Sequence, residues 1–251
     1  MSVTECISAS NYVNHYLTRQ VILARDDSPF GSEIRVQFDA NSYLSTDPVW
    51  KPSAGQMSEI YSNVLIQTQL TALSLKEQNT NSQKKYLHKR FVGIEQPDLI
   101  STVLTEELIR THETLRNLGQ TLVITLTELP LWAASVKNKK KILRNVYLLK
   151  DYGVEIAFDG YNLHGEAIEI FTTLNLLNYI RTSVLSLDRS LKSNCNPDLF
   201  NQIHDVMVTL THNNKISFIA DRVEHAASHI LARALPFDYF QGSHYSPADN
   251  L

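Results

Sequence analysis

Short apolar runs in this chain alternate with longer stretches in which hydrophobic residues recur every three or four positions. In the segment 148–162, LLKDYGVEIAFDGYN, a helical pattern stops at a glycine, an apolar strand follows, and Asp159 ends the strand. The segments 113–128 and 208–221 repeat this order, the second of them with two asparagines in place of the glycine. Glycine and asparagine tolerate the left-handed conformation that closes a helix, so each predicts a helix followed directly by a strand.

The same reasoning along the whole chain predicts about eight strands by their periodicity. They are 20–23, 33–38, 89–94, 122–128, 154–159, 184–188, 216–221 and 238–241. Because the strands are short, apolar and separated by helical stretches, they indicate parallel βα units. Eight such units in 251 residues predict an α/β fold, a closed TIM-like (β/α)8 barrel with its active site at the carboxyl ends of the strands.

An open, doubly wound sheet is the alternative fold, although no glycine-rich phosphate turn follows the first strand. The length suits one domain over residues 1–251, with 1–18 as an N-terminal extension or helix.

Composition and charge narrow the class of protein. The chain is 43% hydrophobic and 20% charged, as expected of a soluble globular protein. Its net charge is -3, and the basic run KNKKK at 137–141 indicates a solvated helix face, so we expect no direct nucleic-acid binding. No targeting segment or long apolar run is present, which predicts a cytoplasmic protein without membrane contact. Cys6 and Cys195 are expected to be reduced.

Acidic and amide side chains stand at or near the ends of the predicted strands. They are Glu33, Glu128, Asp159, Asp188 and Asp221, with Glu224 and Gln241 close by. A ring of carboxylates at one mouth of a barrel can bind Mg²⁺ or a similar hard cation. Strand-end carboxylates also cap the helices that follow them, and spacing alone favours neither interpretation.

Three segments in order carry a resemblance to a known family. FDYFQGSHYSP is similar to the QG(Y)xFSxP element of EAL domains, VLSLDRSL to their KxDxSx segment, and FIADRVEH to their AEGVE segment. Their order and separations, over about 21–247, resemble the EAL-domain family of cyclic-diguanylate phosphodiesterases. The resemblance implies a (β/α)8 barrel with a two-metal site.

The first half of the chain departs from the family's metal-binding pattern. Where the family has EALLRW this chain has EIRVQF, which retains the ligand Glu33 and puts Gln37 in place of a phosphate-binding arginine. The family's asparagine ligand corresponds to Gly93 and a glutamate ligand to Thr125, whereas Glu128 is retained. The resemblance therefore implies that two metal ligands are lost here.

The second half departs from the pattern as well. Where the family has two adjacent aspartates, this chain retains Asp159 and has Gly160. Matching VLSLD to the KxD segment puts Ser186 in place of the lysine that orients the hydrolytic water, and leaves Asp188.

In the AEGVE segment, a glutamate is shortened to Asp221, the glycine becomes Arg222, and Glu224 is retained. Gln241 of the terminal element is also retained. Glycine and threonine do not hold hard cations, so the resemblance implies a degenerate EAL domain with no catalytic residues and no metal cofactor. Mg²⁺ or Mn²⁺ is expected only if the chain is active.

The resemblance implies three candidate functions, given in order of preference. The first is a catalytically inactive regulatory protein that controls motility or biofilm formation in bacteria by contact with a protein partner. The second is a cyclic-di-GMP receptor without hydrolysis, in which Arg35 and Arg222 would contact the phosphates. The third is an active phosphodiesterase with a rearranged metal site built from Glu33, Glu128, Asp159, Asp188 and Glu224.

Overall fold

The structure, a computed structural model, describes residues 15–38, 54–79, 88–127, 135–160, 167–194 and 196–251. Its strands are β1 (His15–Ala24), β2 (Pro29–Phe38), β3 (Lys89–Ile94), β4 (Thr121–Leu126), β5 (Glu155–Asp159), β6 (Tyr179–Ser183), β7 (Ser217–Asp221), β8 (Tyr239–Phe240) and β9 (Asp249–Asn250). Its helices are α1 (Ala54–Asn79), α2 (Thr102–Asn117), α3 (Val136–Asp151), α4 (Ala167–Thr173), α5 (Val184–Ser193), α6 (Leu199–Asn214) and α7 (Ala226–Ala234), with a 3-10 turn at Gln96–Ile100. Glu128, Cys6 and Cys195 lie outside the described residues.

The strands close into a barrel. From β2 to β8 each strand pairs in parallel with the next, and β1 closes the barrel by pairing with both β8 and β2. The predicted TIM-like barrel is thereby confirmed, and the open doubly wound sheet is excluded because the sheet has no gap between β8 and β2.

The direction of β1 differs from the expected parallel arrangement. β1 runs antiparallel to both of its neighbours in the barrel. The reason is its connection to β2, a turn of four residues closed by hydrogen bonds between Ala24 and Ser28 and between Asp27 and Ala24. A parallel crossover needs a dozen or more residues, so this connection permits only a hairpin. β1 also begins at His15, inside the segment expected to precede the barrel.

The predicted strand 184–188 is wrong. These residues begin helix α5, and the sixth strand lies directly before them. Ser183 caps the helix, because its side chain accepts a hydrogen bond from the amide of Ser186. The apolar residues Val184, Leu187 and Leu191 then follow at helical spacing and pack into the core.

The predicted helix stops are confirmed at the glycines but shifted at the asparagines. Gly119 and Gly153 have φ angles of 74° and 95°, in the left-handed region. At the third stop, α6 includes both Asn213 and Asn214, and Lys215 takes the left-handed conformation with φ 55°.

The apolar core has two layers, and polar side chains lie at the other end of the barrel interior. Between strands and helices lies the larger core, whereas a smaller cluster inside the barrel fills its amino-terminal end. This inner cluster comprises Ile22, Phe91, Val123, Ala157, Tyr179 and Ile219, with Phe30 and Tyr239 packed against it. Because alternate residues of a strand point to the same side, the next inward positions lie at the carboxyl ends of the strands. None of the described helices is long and apolar enough to span a bilayer.

Candidate functional site

The inward positions above the apolar cluster carry five charged side chains. Glu33 and Arg35 come from β2, Asp159 from β5, Arg181 from β6 and Asp221 from β7. Three of these residues, Asp159, Arg181 and Asp221, lie two positions after a member of the inner apolar cluster on the same strand. The other two, Glu33 and Arg35, are two positions apart on β2. Alternate residues of a strand point to the same side, so all five face the interior of the barrel. These residues line a cavity of about 360 Å³ at the carboxyl ends of the strands.

Both carboxylate oxygens of Glu33 are engaged by cations. Oε1 accepts a hydrogen bond from Nη1 of Arg181, and Oε2 accepts one from Nε of Arg35 at 2.5 Å. Nε2 of Gln241 also donates to Oε2, at 2.9 Å. Burial alone raises the pKa of Glu33, but the charges of Arg181 and Arg35 offset it, and the pKa lies below its usual value. Glu33 is therefore an ionised carboxylate at neutral pH.

Asp221 is held by the same two arginines. Its Oδ1 accepts from Nη2 of Arg35 at 2.8 Å, and its Oδ2 is 3.0 Å from Nη2 of Arg181. Burial works against the charged form, yet the nearby guanidinium groups lower the pKa of Asp221 to about 2. Two arginines and two acids thus form a closed ring of ion pairs.

Arg181 lies at the centre of this arrangement. Its side chain is only 1% exposed, and besides Glu33 and Asp221 it faces Asp159, with Nε 3.8 Å from Oδ1. Asp159 is the loosest member because its side chain is 38% exposed, and burial raises its pKa above the usual value, an effect that Arg181 partly offsets. The five side chains carry three negative and two positive formal charges.

The terminal QG element positions the side chain of Gln241 against Glu33. The amide of Gln241 donates to the carbonyl of Ala220 at 2.8 Å, and its carbonyl accepts from the amide of Val223 at 3.1 Å. The next residue must be glycine, because a Cβ on Gly242 would lie 2.1 Å from the carbonyl oxygen of Val223. The close backbone approach explains why Gln241 is fully buried and directed at Glu33.

The remaining predicted site residues divide into two groups. Gln37 and Arg222 line the same cavity, and Arg222 has a left-handed backbone with φ 56°. Glu224 is exposed and does not line the cavity. Asp188 lies on α5, where it pairs with Lys192 at 2.6 Å one helical turn away, so its predicted place at a strand end is wrong. Glu128 lies outside the described residues.

Arg181 is the site residue that the sequence analysis missed. The K-x-D spacing at the end of the sixth strand falls on Arg181 and Ser183. The match to Ser186 and Asp188 is therefore wrong, and it moves five residues toward the amino terminus. Ser186 is exposed on the first turn of α5. A signal was present, since the arginine in NYIRTSV directly follows the apolar residues Tyr179 and Ile180 and must find a partner if that run is a buried strand.

A divalent cation does not fit these residues. The oxygens of Glu33 and Asp221 already bind guanidinium groups. Gly93 supplies no ligand, and Oγ1 of Thr125, which is buried, has no hydrogen-bond partner among the described residues. Within the same part of the chain, no group of three or more His, Cys, Asp or Glu side chains is arranged to hold a metal ion. A cation would have to displace Arg181 or Arg35 to reach its ligands.

Several solved structures are similar to this one. The EAL enzyme Bd1971, bound to cAMP and cyclic-di-GMP, matches with a TM-score of 0.72 and 12% identity over 94% of this chain and 62% of that one. The chain thus spans less than two thirds of that protein. The EAL domain of DcpA from Mycobacterium smegmatis matches with a TM-score of 0.64 and 14% identity, over 94% and 93% of the two chains.

A third similar structure is the YkuI protein of Bacillus subtilis, which has an EAL domain and was solved in complex with cyclic-di-GMP and calcium. It has a TM-score of 0.67 and 12% identity, and the match covers 94% of this chain and 56% of that one. Identities this low show a shared fold. A comparison with curated protein sequences gives no match. The family model of the EAL domain matches residues 45–248, most of the chain, and on that match the chain belongs to the EAL domain family.

Proposed function

We propose that this EAL-family chain is a catalytically inactive regulatory protein that acts by contact with a protein partner in the control of bacterial motility or biofilm formation. The observation that carries the proposal is the pairing of Glu33 and Asp221 with Arg35 and Arg181. Hydrolysis of a phosphodiester at a two-metal site requires the ions to generate hydroxide and to stabilise charge on the phosphoryl oxygens. Here Arg35 and Arg181 are paired with the carboxylates that would bind those ions.

The guanidinium of Arg181 opposes the binding of a metal ion at this site. A dication about 4 Å from a guanidinium is repelled by about 8 kcal/mol at an effective dielectric constant of about 20. Arg181 cannot move away easily, because its side chain is 1% exposed and surrounded by strands. A cation would therefore meet carboxylates that are already paired with arginines, as well as an incomplete set of ligands.

A surface on α1 supports the protein-contact part of the proposal. Ile66, Leu70 and Leu73 lie on one face of the helix at spacings of four and three residues, and they are 53%, 49% and 43% exposed. From residue 54 to residue 75 this helix carries a single charged residue, Glu59. We call Ile66, Leu70 and Leu73 the α1 face. Exposed apolar faces of this kind mark contacts between proteins, and the low charge of α1 itself fits a partner whose matching face is apolar and carries few charges.

The first test is enzymatic. The purified full chain is incubated with cyclic diguanylate and Mg²⁺, Mn²⁺ or Ca²⁺, and the linear product is measured by chromatography. We expect no product above the level of a Glu33→Gln variant, which serves as the matched control. Turnover by the wild type that the control lacks would overturn the proposed inactivity.

A second candidate is a cyclic-di-GMP receptor that does not hydrolyse its ligand. The cavity favours it, because Arg35, Arg222 and Gln37 line the mouth and can donate to phosphate oxygens. Solved EAL proteins such as YkuI contain this ligand. Against it, Nε and Nη2 of Arg35 are already bound to Glu33 and Asp221.

Calorimetric titration with cyclic diguanylate, with and without Mg²⁺, separates the two candidates. Micromolar binding that is weakened by Arg222→Ala and yields no product would favour the receptor. Absence of binding would favour the protein-contact regulator.

A further inference from the structure

We propose that Arg181 takes the place of a divalent cation in this barrel, and that removing its guanidinium group turns the chain into a divalent-cation-binding protein. The three acids concerned, Glu33, Asp159 and Asp221, are called the carboxylate cluster below. This inference concerns a latent metal site in the protein and goes beyond the proposed regulatory function.

The geometry of Arg181 is that of a central cation among oxygen ligands. Its three nitrogens each face a different acid: Nη1 faces Oε1 of Glu33, Nη2 lies 3.0 Å from Oδ2 of Asp221, and Nε lies 3.8 Å from Oδ1 of Asp159. The three acids come from β2, β7 and β5, so their positions are set by the barrel and not by Arg181 alone. Three carboxylates that surround one cation are oxygen ligands of the kind that hard dications bind.

Hydrogen bonding at the site points the same way. Nε of Arg181 is buried and makes no hydrogen bond with the described residues, so the guanidinium does not satisfy its own donors completely. Oε1 of Gln241 is also buried without a partner among those residues, although the same amide group donates to Glu33. With Arg181 at its centre, the site therefore leaves two buried polar atoms without hydrogen-bond partners among the described residues.

The charge balance gives the expected effect of removing Arg181. The formal charges of the carboxylate cluster and the two arginines sum to -1. Without Arg181 the sum is -2. Glu33 and Asp221 remain ionised at neutral pH because Arg35 still contacts both of them. A bound dication then neutralises the site. Arg35 is 28% exposed and can turn toward solvent, whereas Arg181 cannot.

The experiment compares three purified full-length proteins: wild type, Arg181→Ala and Arg35→Ala. Binding of Mn²⁺ is followed by calorimetry and by the electron paramagnetic resonance signal of free Mn²⁺, and thermal stability is measured with Mn²⁺ and with EDTA. We expect saturable binding of one Mn²⁺ by Arg181→Ala, with a melting temperature raised by several degrees that EDTA reverses. Wild type and Arg35→Ala should show neither effect, because both retain the Arg181 guanidinium among the three acids.

A folded Arg181→Ala protein without saturable Mn²⁺ binding would overturn the inference, as would wild-type binding of equal affinity. Arg181→Ala with Asp221→Asn should lose the Mn²⁺ binding, and retention would equally overturn it.

If the alanine variant does not fold, Arg181→Gln is used to test the inference in its place. This neutral side chain fills more of the space, so Mn²⁺ should stabilise Arg181→Gln relative to EDTA. No stabilisation would overturn the inference. Assaying the same samples for the linear product of cyclic diguanylate separates the two proposals, because product from the wild type contradicts the inactive function, whereas lack of Mn²⁺ binding by the variants contradicts the latent metal site.

Discussion

Single residues decide the character of the barrel mouth, and Arg181 has the largest effect. It is a buried cation that contacts Glu33 and Asp221 and faces Asp159. Buried ion pairs are costly to form, but breaking one leaves an uncompensated buried charge. The stability of the protein should therefore depend on the whole group of charges and not on any single pair.

The first prediction concerns the stability of the protein without Arg181. Arg181→Met should lower the free energy of unfolding by about 3–5 kcal/mol, because it leaves Glu33 and Asp221 with one arginine between them. Urea unfolding followed by circular dichroism measures the loss. The control is Lys192→Met, which breaks an exposed helix pair with Asp188 and should cost less than about 1 kcal/mol. Equal effects of the two variants would contradict the prediction.

The second prediction concerns pH and Asp221. Its pKa is lowered from 3.8 to about 2 in the folded protein, so its ionic contacts stabilise the fold above the unfolded pKa. That contribution, about 2 kcal/mol, should be present at neutral pH and should be lost as the pH falls from about 4 toward about 2. Urea unfolding of wild type and Asp221→Asn at several pH values measures it. The stability gap between them should narrow below pH 4, and a constant gap down to pH 2.5 would contradict the assignment.

At the scale of elements, helix ends and one helix face matter most. The turn between α3 and β5 contains Gly153, with φ 95°, and the turn between α2 and β4 contains Gly119, with φ 74°. Both turns direct a helix into a barrel strand. They differ in their surroundings, since a Cβ on Gly153 would lie 3.2 Å from Nε2 of His112, whereas a Cβ on Gly119 would have no atom within 4 Å.

The third prediction uses this difference. Gly119→Ala should cost about 1–2 kcal/mol of stability, the usual penalty of a left-handed conformation for a residue with a Cβ. Gly153→Ala should cost more, because the buried His112 must also shift. Urea unfolding of both variants gives the comparison. A larger loss for Gly119→Ala would show that the crowding at His112 is unimportant.

The fourth prediction concerns the α1 face and cell behaviour. In a bacterial host whose motility or biofilm formation responds to expression of the wild type, Leu70→Glu should remove the response, because a charge on the apolar face disfavours a desolvated protein contact. Val136→Glu on α3 is the matched control, since Val136 is also an exposed apolar residue, at 70% exposure, and should leave the response unchanged. Both variants must retain the wild-type melting temperature. An unchanged response with Leu70→Glu would exclude the α1 face as the contact surface.

At the scale of the whole molecule, the proposed loss of activity rests on residues that several strands contribute to one end of the barrel. Gly93 on β3, Thr125 on β4, Gly160 after β5 and Arg181 on β6 lie at or near the carboxyl ends of successive strands. Because a barrel site is assembled from many strands, restoring one or two positions leaves a two-metal catalytic site incomplete.

The fifth prediction follows from this distribution. Gly160→Asp combined with Arg181→Lys should not produce hydrolysis of cyclic diguanylate, since Gly93 and Thr125 still lack the ligand groups. The assay is the chromatographic detection of the linear product with Mg²⁺ or Mn²⁺ present. Product formation by this double variant would show that the positions on β3 and β4 are not needed for metal binding.

Local patterns in the sequence were sufficient for most of the architecture. The strand β3 was predicted with its observed bounds, and the helix stops at Gly119 and Gly153 followed from the residues themselves. These features depend on contacts within a few residues and on the alternation of apolar positions. The carboxylates Glu33, Asp159 and Asp221 were also identified, because strand ends in a barrel meet at one mouth.

Features that depend on contacts between distant segments required the tertiary structure. The run 177–188 contains two apolar stretches, and pairing of Tyr179–Ser183 with β5 and β7 decided which of them is the strand. The role of Arg181 depends on acids 148 and 40 residues away along the chain, at Glu33 and Asp221. The sequence by itself determined that charged groups collect at the barrel mouth, whereas the closure of the barrel decided which charges pair there, because ion pairing depends on distances that only the packed strands set.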